Sequence, residues 1–349
     1  MYYQRCEGFR PIESRKKQTT TIKDIAKKAG VSISTVSRIL NFDHTLSVTD
    51  ATRARVLHVA EEMEYKPRRK KVPKATKKIA VIQWHSEKQE LNDLYYLQIQ
   101  YAIENTVQGD GGALQYVTTE NFQDTVNSTF SGIIALGKYD ALEMQDIAAK
   151  KLPVVYVGQN ALADGFDSVT SDYVSPVKWI IDHYQAAGIS DIGLIVGQES
   201  SSIGHQAIKD TRLQAFETFG AAAGVYDRDR IFIGAFTPES GYELMNAAIK
   251  QLGDQLPHGF IVGNDAMAVG VIRALNEHNL AIPGRVSLIS FNDVAVAKYT
   301  SPRLSTIHAY TDLMGAGAVE LLHDRMADPQ RVPRQLNYGT KLILRESSK

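Results

Sequence analysis

The hydrophobic pattern of the chain changes near residue 78. Between residues 20 and 65, apolar residues recur every three or four positions in three short stretches, which is the spacing of amphipathic helices. Beyond residue 78, short runs rich in Val and Ile alternate with longer amphipathic stretches. The pattern predicts a small all-α unit at 20–65 and a larger α/β unit at 79–349.

The three helices predicted in the first unit are short and closely spaced. The first, IKDIAKKA, stops at Gly30, and the second, ISTVSRIL, begins after Ser32, a residue type that caps helix N-termini. The third helix begins after Thr49. Only Gly30 to Ser32 separate the first two helices, and a tight turn that contains Gly is typical of a helix-turn-helix. We therefore predict a helix-turn-helix unit at 20–65.

The second unit reads as parallel sheet covered by helices, because strand-like runs alternate with helical ones. The chain is long enough for one large sheet or for two smaller sheets that face each other. In sheets of this kind, ligands bind outside the carboxyl ends of the strands. Two facing sheets would place the ligand between them. The predicted strands include 79–84, 132–136, 153–157, 192–196, 230–236, 259–263 and 286–291.

Charge is distributed unevenly along a chain whose net charge is zero. Residues 1–78 hold nineteen Lys and Arg against eight Asp and Glu, whereas residues 79–349 hold twenty against thirty-one. A basic head indicates a polyanionic partner such as nucleic acid, with a solvated basic tail as the alternative. Residues 66–78 contain two prolines and eight basic residues, which predicts a linker. Residues 1–19 are predicted to be a flexible extension.

Several classes of protein are disfavoured by what the sequence lacks. It has no run of roughly eighteen apolar residues and no apolar signal core at its N-terminus, so we expect a cytoplasmic protein. Its single cysteine, Cys6, excludes a disulfide framework or a multi-cysteine zinc site within one chain. Phosphate-loop, dinucleotide-binding, zinc-protease and hydrolase motifs do not occur. We therefore expect no enzyme activity, no metal and no cofactor.

One stretch of the head carries a specific resemblance. TTIKDIAKKAGVSISTVSRILN, at 20–41, matches the pattern A-x-x-A-G-V-S-x-x-T-V-S-R-x-L-N of the lactose-repressor family of bacterial transcription factors. The similarity continues through the body, over roughly residues 20–345. Within the family the chain most resembles repressors of β-galactosidase and galactose operons. The body segments that carry the resemblance are Arg212–Phe216, Gly263–Gly270, Val286–Asp293 and Leu304–His308, with 42–48, 92–96 and 240–244 indicating the galactose type.

The resemblance implies a fold and a function. The body is expected to resemble periplasmic sugar-binding proteins, with two subdomains at about 79–172 plus 307–335 and 173–306 plus 336–349. The protein is expected to be a homodimer that represses sugar genes at a near-palindromic DNA operator until galactose or a galactoside releases it. A nucleobase-responsive corepressor-type regulator of the same fold is the alternative. A secreted solute-binding protein is disfavoured by the head.

The resemblance also places the DNA-reading residues on the second helix. Arg38 can bind O6 and N7 of guanine with its forked donors, and Ile33 can contact a thymine methyl group. Ser34 is expected at a base edge as well, although it specifies little alone. Arg38 in a surface ion pair and Ser37 as a solvated residue are the alternatives. Phosphate contacts are expected from Thr35, Ser37 and Asn41, and from Thr21 and Thr52 at helix starts, where unpaired backbone N–H groups attract anions.

The effector site is expected to combine aromatic faces with planar polar groups. By resemblance, Arg212 clamps the effector through its five donors. Asn292 stands where family members often carry Asp, which puts the identity of the effector in question. Alternatives are an ion pair for Arg212, a core position for Phe236 or one tyrosine, and helix caps for Asp265 and Asp293. The predicted effector residues are Tyr95, Tyr96, Arg212, Phe236, Asn264 and Asn292.

Overall fold

The computed structural model describes residues 21–40, 48–63, 77–84, 94–200 and 207–349. The chain divides into two compact units, Met1–Lys71 and Val72–Lys349, which we call the head and the body. The predicted extension at 1–19, Asn41 and nearly all of the linker at 66–78 lie outside the described residues.

The described part of the head contains three helices, which confirms the predicted helix-turn-helix architecture. They are α1 Ile22–Ala29, α2 Ile33–Leu40 and α3 Asp50–Glu62. Gly30 ends α1 in the left-handed conformation, with φ of 67°, which glycine adopts without a steric cost. Ile25, Val36, Ile39 and Val56 are fully buried between the helices. Helix α2 buries Val36 and Ile39 and packs Leu40 against the same core, while Ile33, Ser34 and Arg38 are exposed.

The first half of the body is a parallel sheet of six strands in the order β13-β5-β4-β3-β1-β2. Ile79, Ile133 and Tyr156 lie in its fully buried core. The strands are β1 Lys78–Gln83, β2 Ala113–Thr118, β3 Gly132–Leu136, β4 Val154–Val157, β5 Asp167–Ser171 and β13 Gln335–Tyr338. The helices of this half are α4 Leu94–Gly109, α5 Phe122–Thr125, α6 Ala141–Ala148 and α11 Thr311–Ala327.

The second half is another six-stranded sheet, β14-β12-β11-β10-β6-β9, in which only β14 is antiparallel to its neighbour. A short antiparallel pair, β7 Glu199–Ser200 and β8 Ala207–Ile208, stands apart from it. The sheet strands are β6 Ile192–Gly197, β9 Ile231–Gly234, β10 Gly259–Val262, β11 Ser287–Asn292, β12 Ser305–His308 and β14 Lys341–Ile343. The helices are α7 Ser175–Ala186, α8 Thr211–Ala222, α9 Pro238–Leu252 and α10 Asp265–Glu277.

The body therefore contains two smaller sheets and not one large sheet, which were the two possibilities that the sequence allowed. Among the described residues, no helix combines the length and the hydrophobicity that a membrane span requires.

The chain passes between the two halves three times, and two predicted boundaries were wrong by a few residues. Strand β13 pairs in register with β5, from Gln335 opposite Ser168 to Tyr338 opposite Ser171, so residues 336–338 belong to the first half. Strand β12 pairs with β11 up to His308, so residues 307 and 308 belong to the second half. At each of these two crossings, the chain leaves its sheet only after the last residue that pairs with the neighbouring strand.

Candidate DNA-reading helix and effector cleft

Helix α2 presents the predicted base-reading residues on its outer face. Ile33 is 52% exposed, and Ser34 and Arg38 are also exposed. Val36 and Ile39, on the opposite face, are buried in the core. The geometry therefore allows all three candidate side chains to approach a base edge, although their contacts with DNA remain predictions.

Hydroxyl groups form a small cluster at the N-terminus of α2. The Ser32 hydroxyl accepts a hydrogen bond from the backbone N–H of Thr35 at 3.0 Å, so Ser32 caps the helix as predicted. Its oxygen also lies 2.8 Å from the hydroxyl oxygens of Ser34 and Thr35. The cap therefore holds the Ser34 and Thr35 hydroxyls at the helix end that in helix-turn-helix proteins enters the major groove.

Two other predicted phosphate contacts have roles within the head. The Thr21 hydroxyl donates to Asp24 at 2.6 Å, and the Asp24 backbone N–H donates to the same hydroxyl at 3.3 Å. The Thr21 hydrogen bond keeps the pKa of Asp24 below its usual value. A carboxylate beside Thr21 disfavours a phosphate there, so we now regard Thr21 as a helix cap first. Thr52 lies 2.9 Å, oxygen to oxygen, from Thr49, the cap of α3.

The body contains a cleft of about 390 Å³ between its two halves, at the carboxyl ends of strands. Side chains from both sheets line it, as expected for facing α/β sheets. Its volume lies in the usual range of small-molecule sites. The structure brings all six predicted effector residues together in this cleft: Tyr95, Tyr96, Arg212, Phe236, Asn264 and Asn292.

Arg212 is the most firmly held of these side chains. It is 7% exposed, and its Nε and Nη2 donate to the two carboxylate oxygens of Asp210 at 2.8 and 2.6 Å. Its Nη1 donates to the carbonyl of Gly263. Burial alone would raise the pKa of Asp210, but the charge and hydrogen bonds of Arg212 outweigh burial and keep that pKa below its usual value. Arg212 thus forms the ion pair considered as an alternative, and it still has two of its five N–H donors for a ligand.

Aromatic rings surround the Arg212 guanidinium. The carbon at the centre of the guanidinium lies 4.7 Å from the centre of the Phe236 ring and 5.2 Å from that of Tyr173. Such contacts favour the charged form of Arg212 and fix its plane. Gly197 makes room for Phe236, because a Cβ at that position would lie 2.3 Å from the ring. Phe236 is half-buried and belongs both to the packing of the second half and to the cleft wall.

The tyrosine pair lies on the first half of the body. Tyr95 and Tyr96 are 6% and 8% exposed, and their ring centres are 5.1 Å apart with the planes at 74°. Both belong to the core of the first half and both line the cleft, so a core position does not exclude contact with a ligand. Gly158 follows β4 with φ of 102°, a conformation that residues with a side chain rarely adopt, and it lies beside the Tyr96 ring.

The two predicted asparagines have different surroundings. Asn264 is the N-cap of α10, and its side-chain oxygen accepts from the backbone N–H of Met267 at 2.8 Å. Asn292 ends β11 with φ of 104°, a conformation that L-residues adopt rarely and that is concentrated at functional sites. The Asn292 side-chain oxygen accepts from the Tyr173 hydroxyl at 2.8 Å, and the amide NH₂ group of the same side chain is a donor.

The predicted helix caps at Asp265 and Asp293 were wrong. Asp265 is fully buried and accepts from the Val294 backbone N–H at 2.8 Å and from the Thr306 hydroxyl at 2.7 Å. It therefore holds the turn after β11. Asp293 lies between Arg345 and His308, at 2.5 and 3.0 Å. Each carboxylate binds groups that are distant in sequence, which a local capping pattern does not reveal.

Several cleft residues escaped the sequence analysis. Lys138, Asp172, Tyr173 and Glu199 line the cleft, and each follows the carboxyl end of a strand closely. The rule that selected Asn264 would have selected them too. Among the described residues, no group of three or more His, Cys, Asp or Glu side chains is arranged to hold a metal ion.

Two family models match this architecture. Residues 21–68 match the model described as bacterial regulatory proteins, lacI family, and residues 181–348 match the periplasmic binding protein-like domain. The HTH-type transcriptional regulator GalR of Lacticaseibacillus casei is 57% identical over 329 residues, which cover 94% of this chain and 99% of that relative. The chain belongs to the lacI family of bacterial regulatory proteins. It is therefore a DNA-binding transcriptional regulator, as the head predicted.

Other members of the lacI family agree in sequence or in fold. The regulator GanR of Bacillus subtilis (strain 168) is 36% identical over 94% of this chain and 99% of its own. A solved structure described as a CelR–cellobiose complex has a TM-score of 0.69 at 24% identity, covering 94% of this chain and 100% of that one. A lac repressor dimer bound to operator has a TM-score of 0.66 at 22% identity, covering 95% and 99%. These structural likenesses confirm the predicted fold.

Proposed function

We propose that this protein represses genes for galactose or β-galactoside use and leaves its operator when such a sugar binds the cleft. The names GalR and GanR of relatives at 57% and 36% identity support this sugar class. Solved structures of similar fold are described as complexes with cellobiose and with lactose. We place the protein in the cytoplasm, where the operator is, and assign it no catalytic activity.

The observation that carries the proposal is the composition of the cleft wall. Arg212 presents a fixed, planar set of donors between aromatic rings, and Asn292 adds an amide that is hydrogen-bonded to one of them, Tyr173. Aromatic faces suit the apolar side of a sugar ring, and planar donors suit adjacent hydroxyl groups. The tyrosine pair on the opposite half completes a site that a ligand touches from both sides.

A ligand held by both halves can control DNA binding only if it prefers one degree of cleft closure. We propose that a homodimer places two copies of α2 in successive major grooves of a near-palindromic operator. One head alone buries too little surface to select a single site. The sugar then favours the closure state in which the two heads no longer fit the operator spacing.

A nucleobase corepressor is the second candidate. A repressor named PurR from Pasteurella multocida (strain Pm70) is 31% identical over 94% of this chain. The Tyr95 and Tyr96 rings offer aromatic faces that a purine ring also fits.

Titration of the operator-bound protein distinguishes the two candidates. We would follow fluorescence anisotropy of a labelled operator duplex while adding galactose, lactose, adenine, guanine or hypoxanthine. A fall in anisotropy with a sugar supports induction, and tighter binding with a purine supports corepression. If neither galactose nor lactose changes the anisotropy, the proposed function is overturned.

A further inference from the structure

The described side chains of the cleft include six ionisable acids and bases of balanced charge. Lys138 Nζ and Glu199 Oε2 form an ion pair at 2.8 Å without hydrogen-bond geometry, and Arg212 pairs with Asp210 at 2.6 Å. Lys209 pairs with Glu217, outside the cleft lining, at 2.7 Å. Asp172 accepts two backbone N–H groups at 3.0 Å. Each of the six groups thus has a partner: Lys138, Asp172, Glu199, Lys209, Asp210 and Arg212.

The Lys138–Glu199 ion pair joins the two halves of the body. Lys138 follows β3 in the first half, and Glu199 begins β7 in the second. Their side chains are only 18% and 14% exposed, so solvent screens this pair less than a surface pair. Of the ion pairs among the described residues, this is the one that connects the halves. The cleft is therefore bridged by two opposite charges that cancel.

The Lys138–Glu199 and Arg212–Asp210 pairs should favour binding of a neutral ligand over an anionic one. A lysine ammonium has three N–H donors, so Lys138 can keep Glu199 and still donate to a sugar hydroxyl, while Glu199 accepts from another. A phosphate ester brings between one and two negative charges, about −1.5 to −2 at neutral pH. To neutralise it, Lys138 or Arg212 must leave a carboxylate that is shielded from water, which is unfavourable.

We propose that the effector is an uncharged, unphosphorylated sugar and that Lys138 and Glu199 determine this specificity. This inference rests on the proposed function and narrows its ligand to one chemical class. The pair holds the two halves around a neutral polyol, and among the described cleft residues a sugar phosphate finds no uncompensated cation to bind.

Isothermal titration calorimetry of the full-length protein with galactose, lactose and galactose 6-phosphate tests the inference. We expect the neutral sugars to bind at least about tenfold more tightly than the phosphate ester. Glu199→Gln leaves Lys138 without its carboxylate and should shift this preference toward the phosphate ester by about tenfold. Asp182→Asn, which removes the exposed Lys178–Asp182 pair, is the matched control and should leave the preference unchanged.

A variant with the two charges exchanged, Lys138→Glu with Glu199→Lys, guards against misfolding as an explanation. It keeps a neutral pair across the cleft and should retain the preference for neutral sugars. Tighter binding of galactose 6-phosphate by the wild type, or an unchanged preference in folded Glu199→Gln, overturns the inference but not the proposed function. If no sugar of either kind binds, the proposed function fails and this inference fails with it.

Discussion

The candidate DNA-reading helix of the head and the candidate effector cleft of the body are opposite kinds of site. The head offers Ile33, Ser34 and Arg38, which lie within two turns of one helix and project from its exposed face. The six candidate effector residues lie far apart in the sequence, from Tyr95 to Asn292, and all but Phe236 are buried. Changes in the head should therefore act on DNA affinity one side chain at a time. Changes in the cleft should disturb ligand binding and the stability of the body together.

Removing Arg212 should have the largest effect, and it should change ligand response and the stability of the body together. Arg212→Ala leaves the Asp210 carboxylate buried without its partner, and breaking a buried pair costs about 3–5 kcal/mol. We expect a body destabilised by that amount and a complete loss of sugar-induced release. Urea denaturation and operator release measured on the same preparation check both parts. Unchanged stability would show that the Arg212–Asp210 pair does not hold the cleft.

The pH dependence of stability sharpens this test. In the wild type the pKa of Asp210 is lowered, so its contribution to stability is present above the ordinary Asp pKa of 3.8 and is lost as the pH falls through the lower folded value. In Arg212→Ala, acid instead neutralises an unpaired buried carboxylate. The difference in free energy of unfolding between wild type and variant should therefore become smaller from neutral pH toward pH 4. A constant difference would contradict the assignment of Asp210 as a buried carboxylate paired with Arg212.

Replacing Arg38 should have an intermediate effect that is confined to DNA. Arg38→Lys keeps the charge but removes the forked donor pair, so specific affinity should fall by about 1–3 kcal/mol while binding to random duplex changes little. Operator and random duplexes compared at one salt concentration measure this difference. An equal loss on both duplexes would make Arg38 a phosphate contact, and galactose binding serves as the control that should not change.

Removing the Thr21 hydroxyl should have the smallest effect. Thr21→Ala abolishes the capping box with Asp24 and should destabilise the head by about 1 kcal/mol. The slope of log K against log salt for operator binding should not change, because we assign Thr21 to the cap rather than to a phosphate. A slope reduced by about one with unaltered stability would restore the phosphate contact.

The structure of the head was easier to predict from the sequence than that of the body. Helix periodicity and the local signals of Gly30, Ser32 and Thr49 are sufficient for the head, because its helices and caps depend on neighbours in the chain. In the body, strands such as Gly132–Leu136 are evident from composition. The assignment of 336–338 to the wrong half has a physical cause: β13 and β14 are separated by two residues yet join different sheets.

Cleft residues were predictable as single positions but not as a network. Strand ends and the resemblance to a known family located Arg212, Asn264 and Asn292. The Tyr173–Asn292 hydrogen bond and the Lys138–Glu199 bridge depend on pairings between distant segments, which no local pattern encodes. The positive φ of Asn292 is likewise a property of the folded turn.

We propose that the head binds one DNA sequence selectively and that a ligand in the cleft controls this binding. The operator would first be identified by selecting bound sequences from a pool of random duplexes. Fluorescence anisotropy at about 0.15 M salt would then measure the affinity of the protein for this operator and for a scrambled duplex, with and without galactose or lactose. We expect the protein to bind the operator at least about 10³-fold more tightly than the scrambled duplex and to lose that preference when sugar is added. Equal affinity for both duplexes, unaltered by either sugar, would contradict it.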